Sequence, residues 1–144
     1  KVIMDFFHSL PVQIRFNDAD PAQHINNSVY QEYFDLGRMS YFKTVMGSFM
    51  DFGSVSLVIA SFKVDFYQPV FFQDQITVQT KISSIGTKSI EMTQQIMCEG
   101  EPAPRALSTS ILVCYDYCNK VSEVLPEEWK EKIRAYEGIE MTGD

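Results

Sequence analysis

The sequence is poor in positive charge and in long hydrophobic runs. Lys and Arg number 12 against 19 Asp and Glu, which gives a formal net charge of -7 at pH 7 and an isoelectric point of about 4.8. This balance argues against sequence-independent nucleic-acid binding, which needs clustered Lys and Arg to neutralise phosphates. No apolar run reaches the roughly 18–20 residues of a membrane span, and no basic start followed by an apolar stretch marks a secretory signal.

Cysteine is also scarce, with three residues, an odd number. Cys114 and Cys118 enclose the segment CYDYC, and Cys98 lies on another segment. A CxxxC pair without a second pair or a nearby His is a poor metal site. We therefore expect three reduced thiols in a cytoplasmic protein that binds no metal.

Length and composition fit one domain. The chain has 144 residues, of which 45% are hydrophobic, and a chain of this size can bury a real core. It contains no internal repeat, low-complexity tract or linker. We predict a single domain over residues 1–144, with a core at about 10–118 and a C-terminal helical tail at about 126–138. In that tail Pro126 would take the first helical position, and the apolar face would contain Trp129, Ile133 and Tyr136.

Hydrophobic periodicity predicts a strand followed by a long helix. Residues 10–17 alternate between apolar and polar, the pattern of a half-buried strand. From Ser28 onward apolar residues recur every three to four positions around most of the circumference, which predicts a helix enclosed by protein. Ser28 and Gln31 have capping-box spacing, although Asn26 or Asn27 could cap the helix instead.

After Gly53 the period becomes two, which predicts four long strands. They cover residues 55–67, 74–83, 88–99 and 106–118, with a hairpin turn at 84–87. A meander of these strands with the helix along one face satisfies the pattern, so the fold class is α+β. One such half-shell leaves an edge strand and part of the helix uncovered, and we expect a homodimer to cover them.

The segment between the first strand and the helix is unusually polar. Residues 18–27, DADPAQHINN, place two carboxylates, a histidine and two amides where the helix begins. A helix N terminus offers unpaired N–H groups and a positive dipole end to developing negative charge. A carboxylate on the incoming loop could face the same point.

Two stretches resemble a known family. The first is RFNDADPAQHINNSVYQEYFDLGR at 15–38, and the second is ASFKVDFYQPVFFQDQITVQT at 60–80. Over about residues 10–118 the chain resembles the hotdog-fold thioesterases, in particular the 4-hydroxybenzoyl-CoA thioesterase-like group. The resemblance implies a curved antiparallel sheet around one long central helix, in a homodimer that often pairs into a homotetramer. It also implies hydrolysis of an acyl thioester of coenzyme A or of acyl carrier protein.

The resemblance also implies roles for individual residues. Asp20 matches the catalytic acid of the family, which acts as nucleophile or general base, and both mechanisms stay open. The backbone amide that polarises the thioester carbonyl would fall at about Asn27. No cofactor is implied, since coenzyme A is part of the substrate. Asp18 and Arg38 are expected to be structural.

His24 matches an active-site histidine of the plant acyl-carrier-protein thioesterases, which the chain also resembles. Those enzymes have an Asn where this chain has Ala22, and SVSLVIAS at 54–61 contains no match for their further acid. His24 would therefore either orient a water molecule or hold the loop by hydrogen bonding.

Coenzyme A carries phosphates that some cation must meet. Lys63, Lys81, Lys88 and Arg105 are candidates, and Lys88 with Ser89, just past the hairpin turn, is the best of them. Each alone is otherwise a solvated surface charge.

Two other functions stay open. One is a non-catalytic hotdog protein that binds an acyl thioester. The other is a hotdog hydratase or dehydratase with an Asp-x-Asn-Pro-x-His motif, but Asp20 replaces the Asn and an extra residue separates Pro21 from His24. The sequence does not indicate which acyl group is hydrolysed, or whether the carrier is coenzyme A or acyl carrier protein. It also does not indicate whether the protein is a dimer or a tetramer, or in which pathway it acts.

Overall fold

A computed structural model describes residues 5–47 and 54–138. Gly53 and the two ends of the predicted domain lie outside these residues. The elements in chain order are β1 (His8–Val12), a 3-10 turn (Phe16–Asp18), α1 (Asn27–Met46), β2 (Val55–Phe66), β3 (Ile76–Ile85), β4 (Ser89–Cys98), β5 (Ala106–Asp116), β6 (Val121–Ser122) and α2 (Glu127–Glu137). No helix within the described residues is long and apolar enough to cross a membrane.

The strands form one antiparallel sheet in the order β1-β3-β4-β5-β2, and the short β6 pairs with the end of β5. The predicted meander is therefore right for β3, β4 and β5 and wrong for β2. Strand β1 occupies the other edge of β3, with Val12 opposite Ile76. Strand β2 instead pairs with the free edge of β5, with Phe66 opposite Ala106.

The first strand is shorter than predicted. It ends at Val12, and the chain then turns through the 3-10 segment, where Phe16 is 84% exposed. The Asp18 carboxylate accepts a hydrogen bond from the Arg15 backbone N–H at 2.9 Å and closes this turn. A local side-chain hydrogen bond of this kind competes with the hydrogen bonds of a strand. This explains why the alternating residues after Val12 do not form a strand.

Helix α1 begins at Asn27, one residue before the predicted start, and Asn26 is its cap. The Asn26 side chain accepts a hydrogen bond from the Ser28 N–H, which satisfies one of the free amides of the first turn. Gly47 ends the helix in a left-handed conformation, with φ of 82°, that favours glycine. The face of α1 that packs on the sheet contains Tyr30, Tyr33, Phe34, Gly37, Tyr41 and Phe42.

The core has two parts, which we call the site-end cluster and the far-end cluster. The site-end cluster lies under the first half of α1 and includes Ile14, Ile25, Tyr30, Tyr33, Phe34, Val70, Ile76, Val78, Ile96, Cys98 and Ala106. The far-end cluster lies under the second half of α1 and includes Tyr41, Phe42, Met46, Ile82, Ile85, Ile90, Met92, Leu112, Cys114, Leu125, Trp129 and Ile133.

Buried polar side chains on adjacent strands, Thr80, Gln94 and Ser108, form a layer between the two clusters. Gln94 Nε2 donates to the Phe34 carbonyl at 2.8 Å and to Thr80 Oγ1 at 3.0 Å. Gly37 lies directly over this layer, where a Cβ would lie 3.0 Å from Gln94 Nε2 and 3.1 Å from Thr80 Oγ1.

Helix α2 confirms the predicted tail helix, with Pro126 as its cap and not its first helical residue. Trp129 and Ile133 are buried in the far-end cluster, and Tyr136 packs against it. Glu137, at the helix end, is also buried. Its Oε2 accepts hydrogen bonds from the Tyr41 hydroxyl at 2.5 Å and from the Ile82 N–H at 3.1 Å.

Candidate active site

The polar segment 18–27, which we call the site loop, folds into a tight turn that begins at Asp20. The Asp20 N–H donates to the His24 carbonyl, and the Asp20 carbonyl accepts from the Gln23 N–H, both at 2.8 Å. Asp20 Oδ1 accepts hydrogen bonds from the N–H groups of Ala22 and His24 at 3.0 Å each. Among the described residues, no donor bonds Asp20 Oδ2, and the residue is exposed. The turn therefore fixes the carboxyl group and leaves one oxygen free.

The N terminus of α1 follows at the end of the same loop. The Asn26 N–H donates to the Asp18 carbonyl at 3.0 Å, which ties the cap back to the start of the loop. The Asn27 N–H is at the first helical position and has no acceptor within the helix. It has none elsewhere in the described part of the chain either. A free amide at the positive end of the helix dipole is suited to stabilise an oxyanion.

Asp20 and Asn27 line one cavity of about 480 Å³. The wall opposite the site loop comes from the end of β2 and the chain after it, and the whole lining includes His24, Ile25, Asn26, Tyr30, Phe66, Tyr67, Gln68 and Pro69. The structure therefore brings the predicted carboxylate, histidine and helix amide to one place.

A second depression of about 470 Å³ lies on the other side of Asp20. Its aromatic lining is Phe16 and Phe72, whose rings pack edge to face with centroids 6.4 Å apart. Asp20 thus stands between a cavity with polar walls and a more apolar one.

Asp18 is structural, as predicted, and is 2% exposed. Its carboxylate accepts hydrogen bonds from the Arg15 N–H at 2.9 Å and the Tyr33 hydroxyl at 2.7 Å, and it pairs with the Arg15 guanidinium at 3.0 Å. Burial alone would raise the pKa of Asp18, but these bonds to the ionised form outweigh it, and the pKa lies below its usual value. Burial, followed by the bond to Asp18, raises the pKa of Tyr33.

His24 lines the cavity with its ring edge to face against Phe71, the centroids being 4.9 Å apart. Its backbone holds the loop, through the bonds to Asp20 and an isolated bridge to Phe71. Its ring makes no hydrogen bond to the described residues, so the ring nitrogens are open to the cavity or to solvent.

Lys88 and Ser89 lie at the opposite end of the sheet from Asp20. Ile96 on β4 pairs with Ala106 on β5, and Ala106 pairs with Phe66, which lines the cavity. From Ser89 to Ile96 along β4 there are seven residue steps, or roughly 23 Å. Lys88 Nζ lies 3.5 Å from Ser122 Oγ. A single chain therefore does not bring this pair to the site.

The other predicted phosphate ligands are also away from the cavity lining. Lys63 on β2 is exposed and pairs with Asp65 at 3.4 Å, and Lys81 lies over the Phe6 ring. The prediction for Arg105 is wrong. This side chain is buried, and its N–H groups are already directed to Glu101 and to the Pro69 carbonyl.

The structure adds residues to the site that the sequence did not indicate, among them Tyr30 and Pro69. Tyr30 lines the cavity from a buried position on α1, and its hydroxyl accepts a hydrogen bond from the Val70 N–H at 3.0 Å. Pro69, which follows the end of β2, forms part of the wall. The available signal was the choice of Tyr at a buried helix position, since a buried hydroxyl usually has a partner.

Within residues 5–47 and 54–138 no group of three or more His, Cys, Asp or Glu could hold a metal ion. The cysteines at 98, 114 and 118 are free thiols. The expectation that the reaction needs no cofactor stays a prediction.

The fold and the site together define a class of enzyme. A curved antiparallel sheet around one long helix is the hotdog fold, and a carboxylate beside the N terminus of that helix is suited to thioester hydrolysis. A family model described as the thioesterase-like superfamily matches residues 14–133. The chain belongs to this superfamily and is a thioester hydrolase.

Individual relatives agree with this assignment. The chain is 23% identical over 123 residues to the long-chain acyl-CoA thioesterase FadM of Escherichia coli K12, which covers 85% of this chain and 93% of FadM. It resembles a Thermus thermophilus thioesterase solved with coenzyme A and zinc, with 30% identity, a TM-score of 0.83, and coverage of 94% of this chain and 98% of that one. A 1,4-dihydroxy-2-naphthoyl-CoA thioesterase from Synechocystis shares the fold at 16% identity, a TM-score of 0.78, and coverage of 87% and 93%.

Proposed function

We propose that this protein hydrolyses acyl-CoA, and that Asp20 and the Asn27 N–H perform the chemistry. One observation carries the proposal: Asp20, with its unbonded Oδ2, and Asn27, with its free helix amide, line the same cavity. The thioester carbonyl oxygen would accept from the Asn27 N–H, which stabilises the negative charge that develops during attack.

Two routes use this geometry. In the first, Asp20 Oδ2 attacks the carbonyl carbon, the coenzyme A thiolate leaves, and water then hydrolyses the mixed anhydride to the free acid. In the second, Asp20 takes a proton from a water molecule as that water attacks, and the same acid and thiol result. The open ring nitrogens of His24 favour a role in orienting the water in either route.

Coenzyme A is the favoured carrier, and acyl carrier protein is the alternative. The names of two similar proteins support coenzyme A, since one is an acyl-CoA thioesterase and another was solved with coenzyme A. The phosphates would need cations, and the predicted ones do not line the cavity of a single chain.

A homodimer would supply the cations that the cavity of a single chain lacks. Strand β2 is twelve residues long and has no partner on its outer edge in the described part of the chain. The surface beside that edge is apolar, with Met39, Ile59 and Phe66 each at least 41% exposed. Antiparallel pairing of two β2 edges would bring the Lys88–Ser89 end of a second copy towards the cavity, where it could meet the phosphates. Pairing of two dimers into a tetramer is a further possibility of the same proposal, and three free thiols favour the cytoplasm.

Release of coenzyme A thiol from short, medium, long and aromatic acyl-CoA esters tests the proposal. Asp20→Asn should lower kcat by about a hundredfold or more, the scale of losing a general base or nucleophile. Glu128→Gln is the matched control, since Glu128 is an exposed carboxylate on α2 that pairs with Lys132 and does not line the cavity. Turnover that Asp20→Asn leaves unchanged would overturn the assignment of Asp20. Binding of acyl-CoA without turnover of any ester would favour the non-catalytic alternative.

A further inference from the structure

Three parts of the protein meet at the peptide unit between Pro69 and Val70, which we call the 69–70 joint. The Pro69 carbonyl accepts a hydrogen bond from Arg105 Nη1 at 2.5 Å. The Val70 N–H donates to the Tyr30 hydroxyl at 3.0 Å, and the Val70 carbonyl accepts from the Ile25 N–H at 2.8 Å. The joint is therefore bonded to the base of β5, to the first turn of α1 and to the site loop.

The joint controls the shape of the site loop. Ile25 lies two residues before Asn27 and five after Asp20, so its bond to Val70 fixes the chain between the two catalytic groups. A second bond, from the Phe72 N–H to the Gln23 carbonyl at 2.9 Å, continues this short ladder. A shift of the joint would move the helix amide relative to the carboxylate.

Arg105 holds the joint from behind. Its side chain is 9% exposed and forms a two-bond fork with Glu101, from Nε to Oε1 at 3.1 Å and from Nη2 to Oε2 at 2.8 Å. Asp74 lies 3.4 Å from Nη1 on the other side. The fork fixes the plane of the guanidinium, which aims Nη1 at the Pro69 carbonyl.

The backbone of Arg105 holds the same segment. Its carbonyl accepts hydrogen bonds from the N–H groups of Tyr67 and Gln68, at 2.9 Å and 3.2 Å, and its own N–H donates to Ile96 on β4. Tyr67 and Gln68 are cavity-wall residues. Arg105, which directly precedes β5, thus holds the wall residues Tyr67, Gln68 and Pro69 through both its backbone and its side chain.

We infer that Arg105 is a positioning residue for thioester hydrolysis, which acts through the 69–70 joint on the distance between Asp20 and the Asn27 amide. This inference rests on the proposed function for its effect on the reaction. Arg105 does not line the cavity, and its buried guanidinium is already bonded to Glu101 and to the Pro69 carbonyl.

The first test compares Arg105→Met with Arg105→Lys. Methionine removes every polar contact of the side chain, whereas lysine can still donate to the Pro69 carbonyl but cannot form the fork with Glu101. Displacements of about 1 Å far from the chemistry can cost roughly a hundredfold in rate. We expect Arg105→Met to lower kcat by roughly 10- to 100-fold with little change in KM, and Arg105→Lys to recover part of the loss.

Arg134→Met is the control, because Arg134 on α2 is a partly exposed arginine that pairs with Glu127 far from the joint. Each variant is compared at a temperature at which its circular dichroism shows it folded. If Arg105→Met does not fold, Glu101→Gln takes its place, since it weakens the fork that aims Nη1 at the Pro69 carbonyl. A folded variant with wild-type kcat would overturn the inference.

A second readout is independent of the substrate. Amide hydrogen exchange should become faster in residues 20–27 and 67–72 of Arg105→Met and stay unchanged in the far-end cluster. Unchanged exchange at 20–27 would overturn the positioning role whether or not the protein turns over acyl-CoA. Faster exchange in a protein without acyl-CoA turnover would support the role of the joint while contradicting the proposed substrate.

Discussion

The two ends of helix α1 are both held by a buried charged side chain that comes from another element. At the far end, Glu137 of α2 accepts hydrogen bonds from Tyr41 on the helix and from Ile82 on β3. At the site end, Arg105 at the start of β5 holds the 69–70 joint, which bonds the first turn through Tyr30. Each set of hydrogen bonds holds one end of the helix in place against the rest of the protein.

The ends differ in what they leave unbonded. At the far end the hydrogen bonds of Glu137 hold α2 against the far-end cluster. Their role is to stabilise the fold. At the site end, the same kind of scaffold leaves Asp20 Oδ2 and the Asn27 N–H without partners among the described residues. The proposed reaction depends on these two groups, which folding does not use, and the surrounding bonds keep them in place.

Equal deletions at the two ends should therefore have different consequences. Ile133 in the far-end cluster is 1% exposed and Ile25 in the site-end cluster is 4% exposed. Each Ile→Ala change should lower the free energy of unfolding by about 2–5 kcal/mol, from lost burial and the cavity left behind. Only Ile25→Ala should also lower kcat of the folded protein, because Ile25 lies between Asp20 and Asn27.

Urea unfolding followed by fluorescence measures the stability of both variants, and thiol release at low urea measures kcat. Val124→Ala is the control, since this residue is 52% exposed and should change stability by at most about 0.5 kcal/mol. An equal loss of kcat in Ile133→Ala and Ile25→Ala would contradict the separation of the two ends.

Gly37 lies between the ends and tests how closely the helix must approach the sheet. A Cβ at this position would lie 2.6 Å from Val78 Cγ1 and 3.0 Å from Gln94 Nε2. Alanine is the better helix former by roughly 1 kcal/mol, but Val78 is β-branched and buried and cannot turn aside. We expect Gly37→Ala to destabilise the protein by about 1–3 kcal/mol net.

The companion variant is Val78→Ala, which removes the methyl group that the new Cβ would meet. In a double-mutant cycle, Gly37→Ala should cost less in the Val78→Ala background than in the wild type. Thermal unfolding of the four proteins measures this difference. A Gly37→Ala protein as stable as the wild type would mean that the close approach imposes no constraint.

The sequence was sufficient for the parts of the fold that depend on local pattern. Period two predicted β3, β4 and β5, and the three- to four-residue period predicted α1 to within one residue of its start. The site loop was also predictable, because Asp20, His24 and Asn27 lie within eight consecutive residues that a single turn can bring together. Proximity along the chain made their proximity in space a matter of local geometry.

What escaped prediction depends on contacts between distant segments. The partner of β2 is decided by which sheet edge is free, and β1 had already occupied the edge of β3. Arg105 has the same residue type as a phosphate ligand, and only its burial beside Glu101 and the Pro69 carbonyl distinguishes the two. Lys88 is separated from the cavity by the length of β4, which no local pattern reveals.

The smallest predicted effect concerns Asp18, the buried carboxylate of the site loop. In Asp18→Asn the amide oxygen can take the place of Oδ2 and keep the hydrogen bonds from the Arg15 N–H and the Tyr33 hydroxyl. The amide NH2 then replaces Oδ1, so the variant loses the charge and the pairing with the Arg15 guanidinium. Because Arg15 is 62% exposed, solvent screens that pairing, and Asp18→Asn should cost about 1 kcal/mol at pH 7.

The pH dependence identifies the cause of this loss. The pKa of Asp18 is lower in the folded chain than its ordinary value of 3.8, so the ionised carboxylate stabilises the fold above about pH 4. That contribution is lost as the pH falls through the lower, folded-state pKa. Urea unfolding of wild type and Asp18→Asn at pH 7, 5, 4 and 3 should therefore give curves that differ at neutral pH and converge in acid. If the difference in unfolding free energy between wild type and Asp18→Asn stayed constant with pH, the charge of Asp18 would not be its cause. The side chain would then contribute through its shape and hydrogen bonds alone.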